Sequence, residues 1–220
     1  MDVYYITVAT KQHPILQNIF KKINKNKEKM YVLGMHEDRF IGWNAKGNFG
    51  VKLKEVYHFL FQKDINENAI VIFTDAYDVI YGGNQKNLVS KFLEMNSPIV
   101  FGCETTCNPD PDRHVDYTKN DVTFPYLNSG MFIGYVWALR KCMQHYIYDD
   151  SHDDQRFWTT EFLTKPHLIK LDYENELFLN TYGINLDEII WLNEVCTYKG
   201  KNPTFIHVNG PNKNDLHKFL

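Results

Sequence analysis

One stretch of the sequence decides the fold: Ala69-Ile70-Val71-Ile72-Phe73-Thr74-Asp75-Ala76-Tyr77-Asp78-Val79. Its first six residues are almost continuously apolar, which predicts a strand buried on both faces at the centre of a parallel sheet. Two carboxylates follow where this strand ends, and open α/β sheets place their ligands at the carboxyl ends of their strands. Because the chain turns there, side chains three positions apart can point into one site. The stretch therefore predicts an α/β protein with a ligand site at Asp75 and Asp78.

Asp75 and Asp78 are candidate metal ligands. Two carboxylate oxygens suit a hard divalent cation, Mg²⁺ or Mn²⁺, that leaves positions open for phosphate oxygens. The alternative is structural: Asp75 caps a turn and Asp78 is solvated. His207 follows a short apolar run and is a candidate third ligand, since imidazole beside carboxylates favours Mn²⁺ over Mg²⁺. A polar histidine in a surface turn is the alternative there.

Strands and helices alternate outward from this stretch, which indicates a mixed, mostly parallel sheet flanked by helices. The predicted strands are 3–10, 30–33, 69–74, 99–103 and 127–135, with shorter ones near Ile169, Ile189 and Phe205. The predicted helices are 14–23, 52–62, 88–95, 137–148 and 154–164, followed by a short amphipathic segment from Asn214. Long loops over 34–50 and 104–125 are expected to be functional. Since no linker or repeat is found, residues 1–220 are predicted to form one domain.

Composition excludes several classes of protein. The chain has 220 residues, with 24 basic and 27 acidic side chains and a formal net charge of −3, which argues against a nucleic-acid partner. No apolar run approaches the roughly 20 residues of a membrane span. The first residues, Met1 to Tyr5, lack the basic and apolar regions of a signal peptide, so a cytoplasmic protein is expected. Four cysteines are too few for a disulfide scaffold.

Polar residues at three further places are candidates for binding or catalysis. Asn128 and Ser129 lie within an apolar strand, where their groups need either a substrate or a structural hydrogen bond. The acidic run 149–154 opens a predicted helix, so helix capping is one interpretation. Its four carboxylates exceed what one cap requires, and a catalytic or acceptor-binding role stays open. The turn Gly210-Pro211-Asn212-Lys213 offers backbone N–H groups and an ammonium to phosphate.

Other motifs are absent or incomplete. Cys103 and Cys107 have no second pair at the spacing of a zinc finger. The sequence contains no phosphate-binding Gly-x-x-x-x-Gly-Lys-Ser/Thr, no Gly-x-Gly-x-x-Gly after a strand and no Gly-x-Ser-x-Gly elbow. A dinucleotide-dependent enzyme, a P-loop NTPase and a serine hydrolase are therefore not indicated.

Taken in order, five blocks of the sequence resemble the glycosyltransferase domain of the procollagen lysyl hydroxylases, a GT-A type enzyme. The blocks are Thr7–Thr10, Phe73–Ile80, Leu127–Gly134, Asp153–Phe157 and His207–Lys213. They span nearly the whole chain, and their order is far more specific than any one of them. The hydroxylase half of those proteins has no counterpart in this sequence, so the resemblance suggests a free-standing transferase, such as a viral version.

The resemblance implies a GT-A type, Rossmann-like nucleotide-sugar fold, with a nucleotide-binding half over about 1–103. An acceptor half with a C-terminal metal and diphosphate loop would follow over 104–220. The implied reaction moves glucose from UDP-glucose onto galactosyl-hydroxylysine of collagen-like chains, with Mn²⁺ as cofactor and retention of configuration. By the same resemblance, Asp75, Asp78 and His207 would ligate Mn²⁺.

The resemblance also assigns residues to the two substrates. The residues expected around UDP stand at the positions of the family's donor-site residues. They are Val8, Ala9, Thr10 and Tyr77 at the uridine, Trp43 against the uracil, Asp75 at the metal, and Lys52 with Gly210, Pro211, Asn212 and Lys213 at the diphosphate. Those expected near the reacting sugar are the catalytic candidates Asp153, Asp154 and Asn128.

The sequence departs from the family on the acceptor side. Asn108 replaces the family's aromatic residue after the loop cysteine, and Ser151-His152 interrupts the acidic run. Donor chemistry is therefore better supported than acceptor identity. A galactosyltransferase acting on hydroxylysine, a catalytically silent sugar-nucleotide or glycan-binding module, and a metal phosphoesterase are alternatives. Because no signal-peptide pattern is seen, the expected location is the cytoplasm, which would be the host cytoplasm for a viral protein. The ER lumen is expected only if another chain targets the domain there. A homo-oligomer is compatible with the sequence.

Overall fold

The computed structural model describes residues 1–42, 47–61, 64–119 and 121–220. Within these ranges the strands are β1 (Val3–Val8), β2 (Met30–Leu33), β3 (Ile70–Asp75), β4 (Val79–Tyr81), β5 (Ile99–Glu104), β6 (Tyr126–Tyr135), β7 (Ile169–Leu171), β8 (Phe178–Asn180), β9 (Ile189–Leu192), β10 (Val195–Tyr198) and β11 (Phe205–His207). The α-helices are α1 (Pro14–Asn26), α2 (Gly50–Leu60), α3 (Gln85–Glu94), α4 (Val136–Met143) and α5 (Asp154–Thr164).

A six-stranded sheet with the order β2-β1-β3-β6-β5-β7 forms the centre of the molecule. β6 is antiparallel to both of its neighbours, and the other strands run parallel. The predicted strand at 69–74 is β3, which is fully buried up to its last residue, Asp75. Phe73 pairs with Phe132 of β6, and their rings stack with centroids 4.8 Å apart. The predicted α/β fold with a mixed, mostly parallel sheet is confirmed.

A second sheet of three short strands, β4-β11-β8, carries the C-terminal part of the chain to the centre. β4 begins directly after Asp78, and β11 pairs with it in antiparallel register so that His207 lies opposite Val79. The N–H of Val208 continues this pairing by donating to the carbonyl of Asp78 at 2.9 Å. The strands β4 and β8 were not predicted from the sequence, whereas β11 matches the short strand predicted near Phe205; together they bring His207 beside the two aspartates.

Several predicted boundaries differ from the structure. The first strand ends at Val8 rather than Thr10. The helix predicted over 137–148 ends at Met143. Since no glycine or proline follows Met143 closely, the sequence did not indicate this end. Glu104 belongs to β5 rather than to the following loop. In the described ranges, no helix is both long enough and apolar enough to cross a membrane.

Candidate active site

A cleft of about 890 Å³ opens at the carboxyl ends of the central strands. The residues predicted from the sequence that line it are Val8, Lys52, Asp75, Tyr77, Asp78, Asn128, Asp153, Asp154, His207, Gly210, Pro211 and Lys213. The fold thus gathers into one cavity residues that lie far apart in the sequence.

Three of the predicted residues do not line the cleft, and a fourth falls outside the described part of the chain. The side chains of Ala9 and Thr10 are buried and do not line the cleft, although the N–H of Thr10 donates to the hydroxyl of Tyr77 at 2.8 Å. Asn212 is exposed and accepts a hydrogen bond from the N–H of Asn214 at the start of a short 3₁₀ turn. Trp43 lies outside the described residues. The binding roles of these four residues stay predictions.

Asp75, Asp78 and His207 meet at the floor of the cleft. Each offers one potential ligand atom, and these atoms lie within 4.8 Å of one another. Nε2 of His207 is 3.3 Å from Oδ1 of Asp78 and 3.8 Å from Oδ2 of Asp75. Asp75 ends β3, Asp78 precedes β4 and His207 ends β11, so the pairing of the short sheet fixes the triangle.

Hydrogen bonds to the other ring nitrogen set the tautomer of His207. Its Nδ1 lies 3.1 Å from Oδ1 of Asn128 and 2.8 Å from Oδ1 of Asn180. Because both neighbours are acceptors, Nδ1 carries a proton, and Nε2 is the ring nitrogen that faces the two carboxylates. The donor set therefore fits a divalent cation of the Mn²⁺ or Mg²⁺ class.

The two asparagines are themselves held in orientation. Nδ2 of Asn128 donates to Glu104 at 3.0 Å, and its Oδ1 accepts from the N–H of Gly130 at 3.0 Å. Nδ2 of Asn180 donates to the carbonyl of Cys103 at 2.8 Å. Each amide oxygen is thereby left for His207, as in metal sites whose histidine ligands are fixed by a second layer of hydrogen bonds.

Two lysines flank the cluster. Nζ of Lys213 lies 2.7 Å from Oδ2 of Asp78, and Nζ of Lys52 bridges Oδ1 of Asp75 at 2.8 Å and Oδ2 of Asp154 at 3.2 Å. Burial raises the pKa of Asp78, but the charges and hydrogen bonds of His207 and Lys213 outweigh it and lower that pKa below its usual range. Burial lowers the pKa of Lys52, but Asp154 and Asp75 outweigh it and raise that pKa. Asp78 is therefore negative and Lys52 positive at neutral pH.

The acidic run divides between structural and cleft-lining positions. Asp153 caps α5 by accepting from the N–H of Arg156 at 2.9 Å, so the capping interpretation applies to it. Asp154 is buried, pairs with Lys52 and accepts from the hydroxyl of Ser129 at 2.8 Å. Burial raises the pKa of Asp154, against the opposing charge of Lys52. Both carboxylates still line the cleft.

Glu104 was missed in the sequence reading. It ends the buried strand β5, is 2% exposed, and accepts hydrogen bonds from Asn128 at 3.0 Å, Gln155 at 2.7 Å and Asn209 at 3.1 Å. Burial raises the pKa of this carboxyl. A carboxylate at the end of a buried strand is the same signal that identified Asp75, so the sequence did contain it.

Glycine is required beside the histidine. A Cβ atom at position 130 would lie 2.4 Å from Cε1 and 2.7 Å from Nδ1 of His207. Gly210 has a φ of +84°, and a Cβ there would lie 2.4 Å from Cδ2 of Tyr182. The backbone of β6 and of the turn after β11 can therefore approach the cleft only without side chains at these positions.

Comparison with known proteins identifies the family. A family model described as "PLOD GT domain" matches residues 1–220. The chain belongs to this family. The resemblance found in the five sequence blocks is confirmed at this level, and the chain is a glycosyltransferase-family domain of the PLOD GT type.

Individual PLOD GT relatives cover different parts of the chain. Bovine procollagen-lysine,2-oxoglutarate 5-dioxygenase 1 is 31% identical over 225 residues, which cover 98% of this chain and 31% of that protein. The multifunctional procollagen lysine hydroxylase and glycosyltransferase LH3 of rat is 32% identical over 174 residues, 74% of this chain and 23% of that protein. Protein R699 of Acanthamoeba polyphaga mimivirus is 32% identical over 180 residues, 78% of this chain and 38% of that protein. The PLOD GT domain described here thus spans less than half of each of these relatives.

Among solved structures, mouse xyloside xylosyltransferase 1 in its apo form aligns with a TM-score of 0.49 at 12% identity, over 94% of this chain and 97% of that one. Protein A197 from STIV aligns with a TM-score of 0.46 at 11% identity, over 96% of each chain.

Proposed function

We propose that this PLOD GT domain is a metal-dependent, retaining glycosyltransferase that moves glucose from UDP-glucose onto galactosyl-hydroxylysine of collagen-like chains. The observation that carries the proposal is the triangle of Asp75, Asp78 and His207 in a large cleft, with its histidine oriented by two amides. The name of the rat relative, a procollagen lysine hydroxylase and glycosyltransferase, supports the choice of acceptor.

Asp75, Asp78 and His207 would hold the divalent cation, with Mn²⁺ favoured by the imidazole ligand. When bound, such a cation neutralises negative charge that develops on the departing UDP. The proton on Nδ1 of His207 would leave Nε2 as the nitrogen that binds the cation. Asn128 and Asn180 are the positioning residues that secure this state.

Lys213 would neutralise part of the diphosphate. Its Nζ donates to the carbonyl of Val208 at 2.7 Å and lies 2.7 Å from Asp78, so the ammonium is held at the metal end of the cleft. An oriented cation in a partly dry site stabilises a leaving diphosphate more than the same cation in water does. Gly210 and Pro211 line the cleft beside it.

Lys52 would act on two carboxylates rather than on phosphate alone. Its ammonium bridges Asp75 and Asp154 and so fixes the distance between the two carboxylates. Asp75 would face the donor, and Asp154 would face the acidic end of the cleft. Lys52 would therefore couple the geometry of the metal site to that of the reacting sugar.

Asp153 and Asp154 would stabilise the oxocarbenium-like centre of the sugar. Both line the cleft, and Asp154 is held by Ser129 and Lys52 before any substrate binds. Asn128 would serve His207 instead, since its amide already binds Glu104, Gly130 and the ring. Holding the acceptor hydroxyl next to the anomeric carbon removes the entropic cost of encounter.

The test is UDP release from a panel of UDP-sugars, with Mn²⁺ or with EDTA, in the presence and absence of galactosyl-hydroxylysine. We expect release from UDP-glucose that requires both Mn²⁺ and the acceptor. Release from UDP-galactose with hydroxylysine as acceptor would replace the proposed donor. If no UDP-sugar is consumed with Mn²⁺ present, the domain is not a transferase and the binding-module alternative takes its place.

A further inference from the structure

A second hollow of about 580 Å³ runs along α5. The residues that line it from the helix and its two ends are spaced three or four apart and so form one face: Asp153, Arg156, Phe157, Thr160, Glu161 and Lys165. The opposite wall comes from the segment after α4 and includes His145, Tyr146 and Ile147. We call this hollow the α5 groove.

The α5 groove continues the cleft. Asp153 and Arg156 line both cavities, so the groove begins where the acidic end of the cleft stops. Nε and Nη2 of Arg156 each lie 2.8 Å from a carboxylate oxygen of Asp110. This two-pronged ion pair fixes the border between the two cavities. The two cavities therefore adjoin at Asp153 and Arg156.

Aromatic rings form one part of the lining of the α5 groove. The ring of Tyr146 lies 5.5 Å from that of Phe157 and 5.8 Å from that of His152, both edge-to-face. Ile147 adds an apolar side chain that is 82% exposed. Grooves lined by aromatic rings bind extended polyproline II segments, because such chains lose little conformational entropy when they bind.

Charge at the border of the groove favours a basic partner. The carboxylates of Asp150, Asp154 and Asp110 are each paired with a lysine or arginine. Asp153 accepts only a backbone N–H as the cap of α5, and no ion pair to it is formed by the described residues. A carboxylate without an ion pair of its own among the described residues therefore lies where the cleft meets the groove, although the charges of Arg156 and Lys52 act on it, and it can accept hydrogen bonds from lysine-type side chains.

From this continuity, lining and charge we infer that the α5 groove binds the acceptor polypeptide on one side of its modified residue, as an extended polyproline II segment. The inference rests on the proposed function, which supplies a polypeptide acceptor. A helix of 11 residues is about 16 Å long, and a polyproline II chain advances about 3.1 Å per residue. The groove thus accommodates about five residues.

A binding experiment tests the inference without relying on catalysis. The probe is a fluorescein-labelled peptide of about twelve residues with Gly-Pro-Pro and Gly-Pro-Lys repeats, and fluorescence anisotropy gives its Kd. In Ile147→Asp and Phe157→Leu we expect this Kd to rise about tenfold, because each variant removes apolar or aromatic contact. Ile190→Asp is the matched control, since Ile190 is an isoleucine that is 60% exposed on β9, away from the groove. Thermal unfolding of each variant reports whether it is folded.

Absence of binding to the wild-type protein, or equal Kd values for all variants, overturns the inference. A kinetic arm separates this result from failure of the proposed function. With free galactosyl-hydroxylysine and with a glycosylated peptide as acceptors, the ratio of their kcat/KM values should shift about tenfold against the peptide in Ile147→Asp. If the wild type binds the peptide but glucosylates neither acceptor, the groove stands and the proposed reaction fails. If it glucosylates both with equal kcat/KM, the reaction stands and the groove fails.

Discussion

Two clusters in the described part of the molecule offer the same types of potential metal ligand, but the residues around those ligands differ. The first is Asp75, Asp78 and His207; the second is His36 and Glu37 in the turn after β2, together with Glu55 in the middle of α2. In each, two carboxylates and a histidine bring potential ligand atoms within 4.8 Å of one another. Side-chain type and proximity alone would assign a metal to both.

Their surroundings differ. The side chain of His207 is 6% exposed and held by two amides, whereas that of His36 is 69% exposed. Glu37 is already paired with Lys54 and, at 3.0 Å, with Arg39. Both oxygens of Glu37 are therefore in ion pairs, whereas Asp75 and Asp78 each turn one oxygen to a lysine and the other to His207. The layer around the potential ligands, rather than the ligands themselves, therefore favours a metal at the first cluster.

The largest effect is expected from Asp78→Asn in the first cluster. The variant removes a negative ligand next to Nε2 of His207 and should lower Mn²⁺-dependent UDP release about a hundredfold to a thousandfold. Glu37→Gln in the second cluster is the matched control and should behave as wild type. Rates are measured at saturating UDP-glucose over a Mn²⁺ titration. Full activity of Asp78→Asn would remove this aspartate from the metal site.

Gly130→Ala tests whether the histidine must keep its position. The new Cβ would overlap the His207 ring, which should weaken Mn²⁺ binding and lower the free energy of unfolding by about 1–3 kcal/mol. Gly42→Ala is the control, because a Cβ at that cleft-lining glycine meets nothing within 4 Å. Electron paramagnetic resonance of free Mn²⁺ gives the affinity, and urea unfolding gives the stability. Equal Mn²⁺ affinity in both variants would show that the ring tolerates displacement.

Asn180→Ala removes one of the amides that orient His207. Loss of a hydrogen bond behind a histidine ligand typically lowers metal affinity about tenfold to a hundredfold, and we expect that range here. Asn202→Ala serves as control, since Asn202 makes a similar side-chain bond to the carbonyl of Cys196 at 2.8 Å, away from the cleft. Mn²⁺ affinity that falls equally in both variants would indicate a general loss of structure instead.

Asp172 provides a buried carboxyl outside both clusters. Burial raises its pKa to about 6, although three backbone N–H groups donate to it, from Glu176, Leu177 and Phe178. Because the pKa of Asp172 is raised in the folded state, its protonated carboxyl stabilises the fold below about pH 4, and this contribution is lost as the pH rises through 6. Relative to Asp172→Asn, the free energy of unfolding of the wild type should therefore fall by about 1–3 kcal/mol between pH 4 and 7. Urea unfolding across this range measures it, and parallel curves for the two proteins would show an ordinary pKa.

The smallest effect is expected from Glu55→Gln in the second cluster. Oε1 of Glu55 is buried without a hydrogen-bond partner among the described residues, and Nζ of Lys54 and Nε2 of His36 both lie 3.6 Å away. A neutral amide costs less to bury than a carboxylate, so the free energy of unfolding should stay the same or rise by up to about 1 kcal/mol. Mn²⁺ stoichiometry should remain one per chain. Loss of a second bound Mn²⁺ in Glu55→Gln would show that both clusters hold metal.

Local sequence was sufficient for one part of the site. Asp75 and Asp78 follow an apolar strand directly, so strand, turn and carboxylates could be predicted together. His207 could be proposed as a third ligand from its chemistry and from the family resemblance, but its position beside the aspartates could not be derived from local sequence. What brings it to the aspartates is the pairing of β11 with β4, and strands of three residues give too few positions for a periodic signal.

Contacts between distant residues could not be predicted at all. Lys52 was expected at the diphosphate, but the sequence contains no sign that its ammonium bridges Asp75 and Asp154. The sequence likewise gives no sign of the hydrogen bonds between Asn128 and Glu104 or between Asn128 and His207. Such contacts depend on how strands are ordered in the sheet, and neighbouring residues do not encode that order.

The order in which the ribosome makes the chain gives the short sheet a further consequence. Once the ribosome has added Leu171, every strand of the six-stranded sheet and both aspartates have been synthesised. His207 and Lys213 are added later. Lys213 and Asp78 are 135 positions apart, and contacts over such separations form late. A growing chain therefore contains every strand of its central sheet before it contains a complete set of candidate ligands. The candidate metal site is complete only once β11 has paired with β4.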